Sequence, residues 1–189
     1  MLLKAHKPEQ NFPGRLISTG CASFTKTLSH LTAIELNKVE LNYVIKDINH
    51  FLKRIKEIND SGILDDKDIV HVNLDVVSMF PSISKDVGLE QCRIHLSKRN
   101  EPLFSTECII EALDITLSHN LTTFENVMYR QIKGTAMGPK NACIYADVAM
   151  NSIDGMVNEG DWDPEHKPLL WARFRDDIYI PWTHGFLFL

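Results

Sequence analysis

The chain has 189 residues, of which 44% are apolar and 24% are charged, as is typical of a globular domain or of part of a larger protein. No apolar run approaches the roughly 20 residues that span a bilayer, and the first residues lack the long apolar region of a secretory signal. The four cysteines form no CxxC pair, which excludes a zinc signature and a disulfide framework. We therefore expect an intracellular protein outside the membrane, in either the nucleus or the cytoplasm.

Charge is unevenly distributed along the chain. Residues 1–56 contain nine Lys and Arg against four acidic residues, whereas the remainder contains 11 basic and 21 acidic residues. A basic part followed by an acidic part suits a site where metal cations and a polyanion meet, although solvated faces of unequal charge explain the numbers equally well.

The N-terminal half predicts loops, two helices and one strand. Proline and glycine interrupt the first 20 residues, which favours short strands and loops. A helix is predicted from Ser23, and a second, amphipathic helix from about Glu40 to Ile58, because apolar residues recur there at helical spacing. Residues 68–80 alternate as a strand does and carry an unpartnered acid, Asp75, near their end.

The C-terminal half predicts helices and two hairpins. Helices are expected after Ser84 and after Ser105, and a small-residue helix after the loop of residues 134–139. Residues 122–131 predict a hairpin, and residues 171–181 (WARFRDDIYIP) predict a strand, a tight turn and a returning strand. This pattern indicates an α+β fold, with helices packed on one face of an antiparallel sheet whose other face is open for a ligand.

Three acidic residues are the candidates for chemistry. Asp176 and Asp177 stand together at the second hairpin tip, where like charges repel each other, and Asp75 ends a strand. If these strands are neighbours, three carboxylates converge, and carboxylate oxygens suit magnesium, which completes its coordination with water and substrate phosphates. Two such ions are the arrangement used for in-line displacement at phosphorus. A solvated turn is the alternative.

Two other kinds of site are disfavoured. The eight histidines show no HExxH or comparable spacing, so zinc has no support. The loop beginning at Gly134 superficially resembles a phosphate-binding P-loop, but its spacing is one residue short and Asn141 stands where a magnesium-binding Ser or Thr is needed.

Three motifs, taken in order, resemble those of reverse transcriptases. Residues 74–83 (LDVVSMFPSI) resemble their first palm motif, residues 134–142 (GTAMGPKNA) with 145–150 (YADVAM) resemble the second, and residues 174–177 (FRDD) resemble the YxDD box. The amino-acid sequences of these motifs are most similar to those of the reverse transcriptases of Penelope-like retroelements. The resemblance implies a right-hand polymerase architecture, with partial fingers over residues 1–66 and a palm over residues 67–189.

The resemblance also implies an RNA-directed DNA polymerase, a nucleotidyltransferase that copies a primed RNA or DNA template from dNTPs. Asp75 and Asp176 match the metal-binding aspartates, Asp177 matches the third acid, and the carbonyl of Val76 matches a backbone ligand. Together they would bind two Mg²⁺ ions, or Mn²⁺.

Other residues match positions that contact nucleotide or nucleic acid. Phe80 matches the residue under the incoming sugar, where a bulky ring excludes a ribose 2′-hydroxyl. The remaining matches are Lys4, Lys7, Arg15 and Met137 toward the dNTP, and Gly134, Gly138, Lys140 and Phe174 toward the template–primer.

Departures from the family pattern leave alternatives open. Phe174 replaces the usual tyrosine, Cys143 stands where proline is frequent, and Asp147 where asparagine is usual. We expect thumb, primer grip and endonuclease to be missing from a truncated chain. The alternatives are an inactive retroelement remnant, an adopted nucleic-acid-binding module, and an RNA-templated RNA polymerase, against which Phe80 argues.

Overall fold

The computed structural model describes residues 2–3, 14–15, 23–63, 68–162 and 167–182. These ranges contain the strands β1 (Leu2–Leu3), β2 (Gly14–Arg15), β3 (Val70–Asp75), β4 (Leu121–Phe124), β5 (Val127–Arg130), β6 (Ala172–Phe174) and β7 (Asp177–Trp182). They also contain the helices α1 (Lys26–Leu36), α2 (Ile48–Asp60), α3 (Met79–Ser82), α4 (Lys85–Leu96), α5 (Thr106–Ser118) and α6 (Ala142–Glu159). Helices and antiparallel strand pairs occur together, which confirms the α+β class. Within the described ranges no helix combines the length and the apolar character needed to cross a membrane.

The chain divides into two compact units. The first comprises residues 1–40 and 80–149, and the second comprises residues 41–79 and 150–189. The division into fingers and palm at residue 66 stays a prediction.

The first unit is built on helices. Helix α5 packs against both α1 and α4, and the side chain of Ser105 caps α5 by accepting a hydrogen bond from the N–H of Cys108, as an N-cap serine does. The predicted hairpin is confirmed as β4 and β5, joined by Glu125 and Asn126. Both turn residues have positive φ, 49° and 62°, the conformation of a type I′ turn, which matches the twist of a hairpin.

The second unit is built on a three-stranded antiparallel sheet in the order β3–β7–β6. Strand β7 is central and pairs with β3 from Val70↔Trp182 to Asp75↔Asp177. The strand predicted over residues 68–80 therefore ends at Asp75, and α3 follows it.

The helix predicted from Glu40 begins instead at Ile48, so its predicted start is wrong. The side chain of Asp47 accepts a hydrogen bond from the backbone N–H three residues on, at 2.8 Å, and caps the helix there. Residues 43–45 extend beside β6, where their backbone exchanges hydrogen bonds of 2.7 and 3.0 Å with Arg173. Their apolar side chains continue the helical spacing, but pairing with a distant strand decides their conformation.

Helix residues cover both faces of the sheet. Ala172 and Tyr179 on one face pack against side chains of α2, and Ile178 and Ile180 on the other pack with Val157 of α6. The prediction that helices cover one face and leave the other open is therefore wrong, because β7 is apolar on both faces and needs cover on both. The part of the sheet left exposed is the end that carries Asp75 and Asp177.

Candidate active site

The acidic turn is a two-residue connection between β6 and β7. Phe174 and Asp177 form the closing pair, and Arg175 and Asp176 make the turn. Arg175 has φ 59°, the left-handed value that a two-residue hairpin requires at its first turn position. The turn therefore directs the chain back along the sheet within two residues and leaves both acids at its end.

The sheet register brings Asp75 to this turn. Asp75 lies directly opposite Asp177, and the N–H of Val76 donates to the carbonyl of Asp176 at 2.8 Å. That hydrogen bond makes Asp75 and Asp177 a non-hydrogen-bonded pair, whose Cα atoms are about 4.5 Å apart with side chains on the same face. The register thus places Asp75 beside Asp177, whereas the predicted convergence of all three carboxylates is not found, because the described residues contain no group of three such side chains placed to hold a metal ion.

Phe174, Asp177 and Asp75 form one row across the three strands, and all three are exposed. Phe174 is 48% exposed, and the guanidinium of Arg175 lies 5.9 Å from its ring centroid. Like charges directly opposite each other destabilise strand pairing, so this row reduces the stability of the sheet. A planar group can stack on the exposed ring of Phe174, and a cation can bind between the carboxylates of Asp75 and Asp177.

The donor set of this row fits magnesium. Its oxygen donors are the carboxylates of Asp75 and Asp177, with Asp176 next to them, and magnesium prefers such hard ligands. In the part of the chain that the structure describes, no three His, Cys, Asp or Glu side chains are grouped to hold a metal ion. Magnesium is commonly held by one or two carboxylates with water and substrate phosphates completing its shell, so an opposed pair of carboxylates is a donor set of the kind that this ion takes.

A second feature of this face lies further along the strands. The hydroxyl of Tyr179 and Nδ1 of His71 are 2.7 Å apart, and the two rings stack at 5.9 Å. Burial raises the pKa of the Tyr179 hydroxyl, which keeps this tyrosine neutral. The pair lies on the same face of the sheet as Asp75 and Asp177.

One feature next to the acidic turn was not predicted from the sequence. Arg173 and Asp154 form an ion pair with both side chains 0% exposed, and a nitrogen of Arg173 donates to the carbonyl of Arg175 in the acidic turn. The available signal was the position of Arg173 between Ala172 and Phe174, a charge within a short apolar strand.

The glycine-rich loop of the first unit packs against the segment that contains Phe80. The N–H of Thr135 donates to the carbonyl of Phe80 at 2.8 Å. A Cβ on Gly134 would lie 2.5 Å from the Cα of Pro81, and Gly134 has φ 73°, so only glycine fits there. Two of the motifs, distant in sequence, therefore meet within this unit.

Asn141 fastens the other end of this loop. Its side-chain amide donates to the hydroxyls of Thr32 and Thr116 at 3.0 and 3.1 Å, and its oxygen accepts from Ser29 at 3.2 Å. All of these residues are buried. The asparagine that rules out a P-loop thus joins the loop to α1 and α5.

The remaining candidates are individual positions. Met137 is half-buried, and Gly138 and Lys140 are exposed, in the loop that follows Gly134. Lys4 and Lys7 lie outside the described residues, and Arg15 is described only as the end of β2.

Comparisons with known proteins identify the fold. No family model matches the sequence, and no curated protein matches it. Among solved structures, apo telomerase from Candida tropicalis aligns over 85% of this chain and 32% of its own, with a TM-score of 0.65 and 12% identity. Its form truncated from the C-terminal domain aligns over 84% and 34%, with a TM-score of 0.64 and 14% identity.

Telomerase from Candida albicans, in complex with the TWJ fragment of telomeric RNA, aligns over 85% of this chain and 30% of its own, with a TM-score of 0.59 and 11% identity. The chain spans about a third of the length of these telomerase chains. At such identities the likeness establishes the fold alone: this chain shares the fold of the corresponding part of these telomerase structures.

Proposed function

We propose that the chain is a reverse-transcriptase domain, which adds dNTPs to a primer on an RNA or DNA template by two-metal nucleotidyl transfer. The observation that carries the proposal is the register that sets Asp75 opposite Asp177 at the exposed end of the sheet. The fold it shares with telomerase supports it.

The three acids have different roles in this proposal. Asp75 and Asp176 would hold the metal ions, Asp177 would be the third acid and a further metal ligand opposite Asp75, and the carbonyl of Val76 would complete the set. Two bound ions supply stabilisation of the attacking primer 3′-hydroxyl and of the departing pyrophosphate. The chain itself provides negative charge on adjoining strands, so no large movement is needed to gather the ligands.

Other residues are proposed to contact the incoming nucleotide and the template–primer. In the proposal, Phe80 and Met137 contact the incoming dNTP together with Arg15, Lys4 and Lys7. Gly134, Gly138, Lys140 and Phe174 contact the template–primer. The hydrogen bond between Thr135 and Phe80 supports a shared role for the loop and the phenylalanine, because it fixes one against the other.

A primer-extension assay tests the proposal. We expect the chain to extend a primed RNA template with dNTPs in Mg²⁺, and Asp177→Asn to lower the rate by at least about 100-fold, the order seen when one electrostatic group is removed from an active site. Asp68→Asn, two residues before the start of β3, is the matched control and should keep full activity. Undiminished extension by Asp177→Asn contradicts the proposal, as does failure of the chain to extend at all.

A nucleic-acid-binding module without turnover is the second candidate. It is favoured by the lack of any three-ligand cluster among the described residues. It predicts template–primer binding that weakens steeply with salt and no synthesis. Use of rNTPs in place of dNTPs would instead indicate an RNA polymerase with the same fold.

We further propose that this domain belongs to the Penelope-like group of retroelement reverse transcriptases. The amino-acid sequences of the three motifs support this assignment. Phylogenetic placement among reverse transcriptases tests it.

A further inference from the structure

The side chain of Arg173 is held from two directions in the interior of the second unit. Its Nη2 donates to Oδ2 of Asp154 at 2.8 Å, and its Nε lies 3.0 Å from each carboxylate oxygen. The indole Nε1 of Trp171 donates to Oδ1 of the same carboxylate at 2.9 Å. Asp154 therefore has a fixed orientation, and the guanidinium plane of Arg173 is fixed with it.

The remaining terminal nitrogen of Arg173 reaches the acidic turn. Nη1 donates to the carbonyl of Arg175 at 3.1 Å. Arg175 has the left-handed φ of 59°, a conformation that costs free energy for any residue with a Cβ. A hydrogen bond to its carbonyl compensates for that cost and disfavours other conformations of the turn.

The backbone of Arg173 is anchored as well. Its N–H donates to the carbonyl of Tyr43 at 3.0 Å, and its carbonyl accepts from the N–H of Ile45 at 2.7 Å. Arg173 is thus held by its backbone, through Tyr43 and Ile45, and by its side chain, through Asp154.

Charge compensation is the other consequence of the pair. A buried guanidinium that contacts the turn carrying Asp176 would, if uncompensated, oppose the binding of a cation there. The carboxylate of Asp154 neutralises it at 2.8 Å. The arginine therefore supplies hydrogen bonds to the turn without adding net positive charge there.

We propose that Arg173 is a positioning residue of the polymerase site: its ion pair with Asp154 aims the guanidinium at the Arg175 carbonyl, and this hydrogen bond fixes the turn that presents Asp176 and Asp177 beside Asp75. The inference rests on the proposed function for its catalytic consequence. The geometric part, control of the turn, stands on the contacts themselves.

The first unit provides a matched control. Arg99 and Glu35 form a second buried ion pair, with side chains 1% and 0% exposed, and the contacts of Arg99 are with Leu96, Phe104 and Thr106 of its own unit. Lysine cannot reproduce several guanidinium hydrogen bonds at once. Arg173→Lys and Arg99→Lys therefore remove equivalent interactions in two different places.

The test compares these variants in amide exchange, Mn²⁺ binding and primer extension. Val76 donates to Asp176 at 2.8 Å, so Arg173→Lys should speed exchange of the Val76 amide relative to amides in the middle of β3. It should also weaken Mn²⁺ binding by about 10-fold, as loss of a partner behind metal ligands does, and lower kcat with KM for template–primer unchanged. Arg99→Lys should leave all three within about twofold.

Equal effects of the two variants, after correction for the folded fraction, would overturn the inference. If Arg173→Lys does not fold, Asp154→Leu combined with Arg173→Met removes both charges at similar volume, a replacement that proteins tolerate. This double variant should still show weakened Mn²⁺ binding and fast Val76 exchange. Wild-type values in the double variant would also overturn the inference.

Failure of the proposed function is distinguishable from failure of this inference. A wild-type chain that neither binds Mn²⁺ nor extends a primer contradicts the function, while Val76 exchange still decides whether Arg173 fixes the turn. Intact metal binding and normal exchange in Arg173→Lys contradict only the positioning role.

Discussion

The Glu35–Arg99 pair of the first unit and the Asp154–Arg173 pair of the second have the same chemistry and nearly the same burial, with N–O distances of 2.9 and 2.8 Å. They differ in what the arginine contacts besides its carboxylate. Arg99 donates to the end of α4 and to the loop before α5. Arg173 donates to the carbonyl of Arg175 in the acidic turn.

The difference shows that a buried ion pair must be interpreted from its other contacts. Desolvation largely cancels the attraction within such a pair, so the net stability gained is small. What each pair provides is orientation. In the first unit this orientation fastens helices to a loop, and in the second it fastens the turn that carries two candidate ligands.

Removal of either arginine tests whether the two pairs are equivalent for stability. Arg99→Ala and Arg173→Ala should each lower the free energy of unfolding by about 3–5 kcal/mol, because each leaves a buried carboxylate without its partner. Urea denaturation measures the loss. The control is Arg93→Ala, which removes an exposed pair with Glu107 and should cost less than about 1 kcal/mol. A loss at Arg173 no larger than at Arg93 would break the comparison.

Substitution of Gly134 asks whether the first unit depends as strongly on backbone packing. Gly134→Ala should lower the free energy of unfolding by about 1–3 kcal/mol, because it combines a left-handed φ with a clash against the backbone of Pro81. The measurement is again urea denaturation. Unchanged stability would show that the loop moves freely away from Pro81.

Two helical glycines, one in each unit, sharpen the contrast in packing. A Cβ on Gly88 would lie 2.0 Å from the hydroxyl oxygen of the buried Tyr145, whereas nothing lies within 4 Å of a Cβ on Gly155. Gly88→Ala should therefore destabilise by about 1–3 kcal/mol, and Gly155→Ala should stabilise by about 0.5–1 kcal/mol. Thermal unfolding of both variants shows whether each substitution raises or lowers the stability. A change in the same direction for both would contradict the proposed difference in packing around the two glycines.

The stability contributed by the Glu35–Arg99 pair should depend on pH, because the pKa of the Glu35 carboxyl is shifted in the folded protein. Burial alone would raise the pKa of Glu35, but hydrogen bonds from Lys38 and Arg99 outweigh burial and hold the pKa below its ordinary value. The ionised carboxylate therefore contributes stability that is present above the unfolded pKa of about 4.3 and lost as pH falls through the lower folded pKa. Glu35→Gln should be less stable than wild type at neutral pH, with a gap that closes in acid. Urea midpoints between neutral pH and about pH 3 measure the gap, and a gap independent of pH would contradict the ionised state.

Local patterns predicted the elements around the candidate site. The alternation that ends at Asp75 gave β3, and the pairs Glu125–Asn126 and Asp176–Asp177 marked two hairpins, because strand period and turn chemistry act within a few residues. The second turn lies one residue earlier than predicted, at Arg175–Asp176, because Asp177 pairs with Phe174 and begins β7. The pairing of β3 with β7 was a hypothesis from three acids, and the register supports it.

The buried charges could not be predicted from local pattern. Glu35 and Arg99 are 64 residues apart and Asp154 and Arg173 are 19 apart, so each has the appearance of a surface charge until its partner is known. The same contacts explain the orientation of α6. The apolar Ile153 is 46% exposed there, while the neighbouring Asp154 is 0% exposed.

The most direct test of the central claim is the effect of Mg²⁺ on the thermal unfolding of the chain and of Asp75→Asn. Without metal, Asp75→Asn should be more stable by about 0.2–1 kcal/mol, because it removes a like charge opposite Asp177. With Mg²⁺ at about ten times its dissociation constant, the chain should gain about 1.4 kcal/mol and Asp75→Asn should gain far less. An equal gain in both, or a gain in neither, would mean that the two opposed acids do not hold a divalent cation.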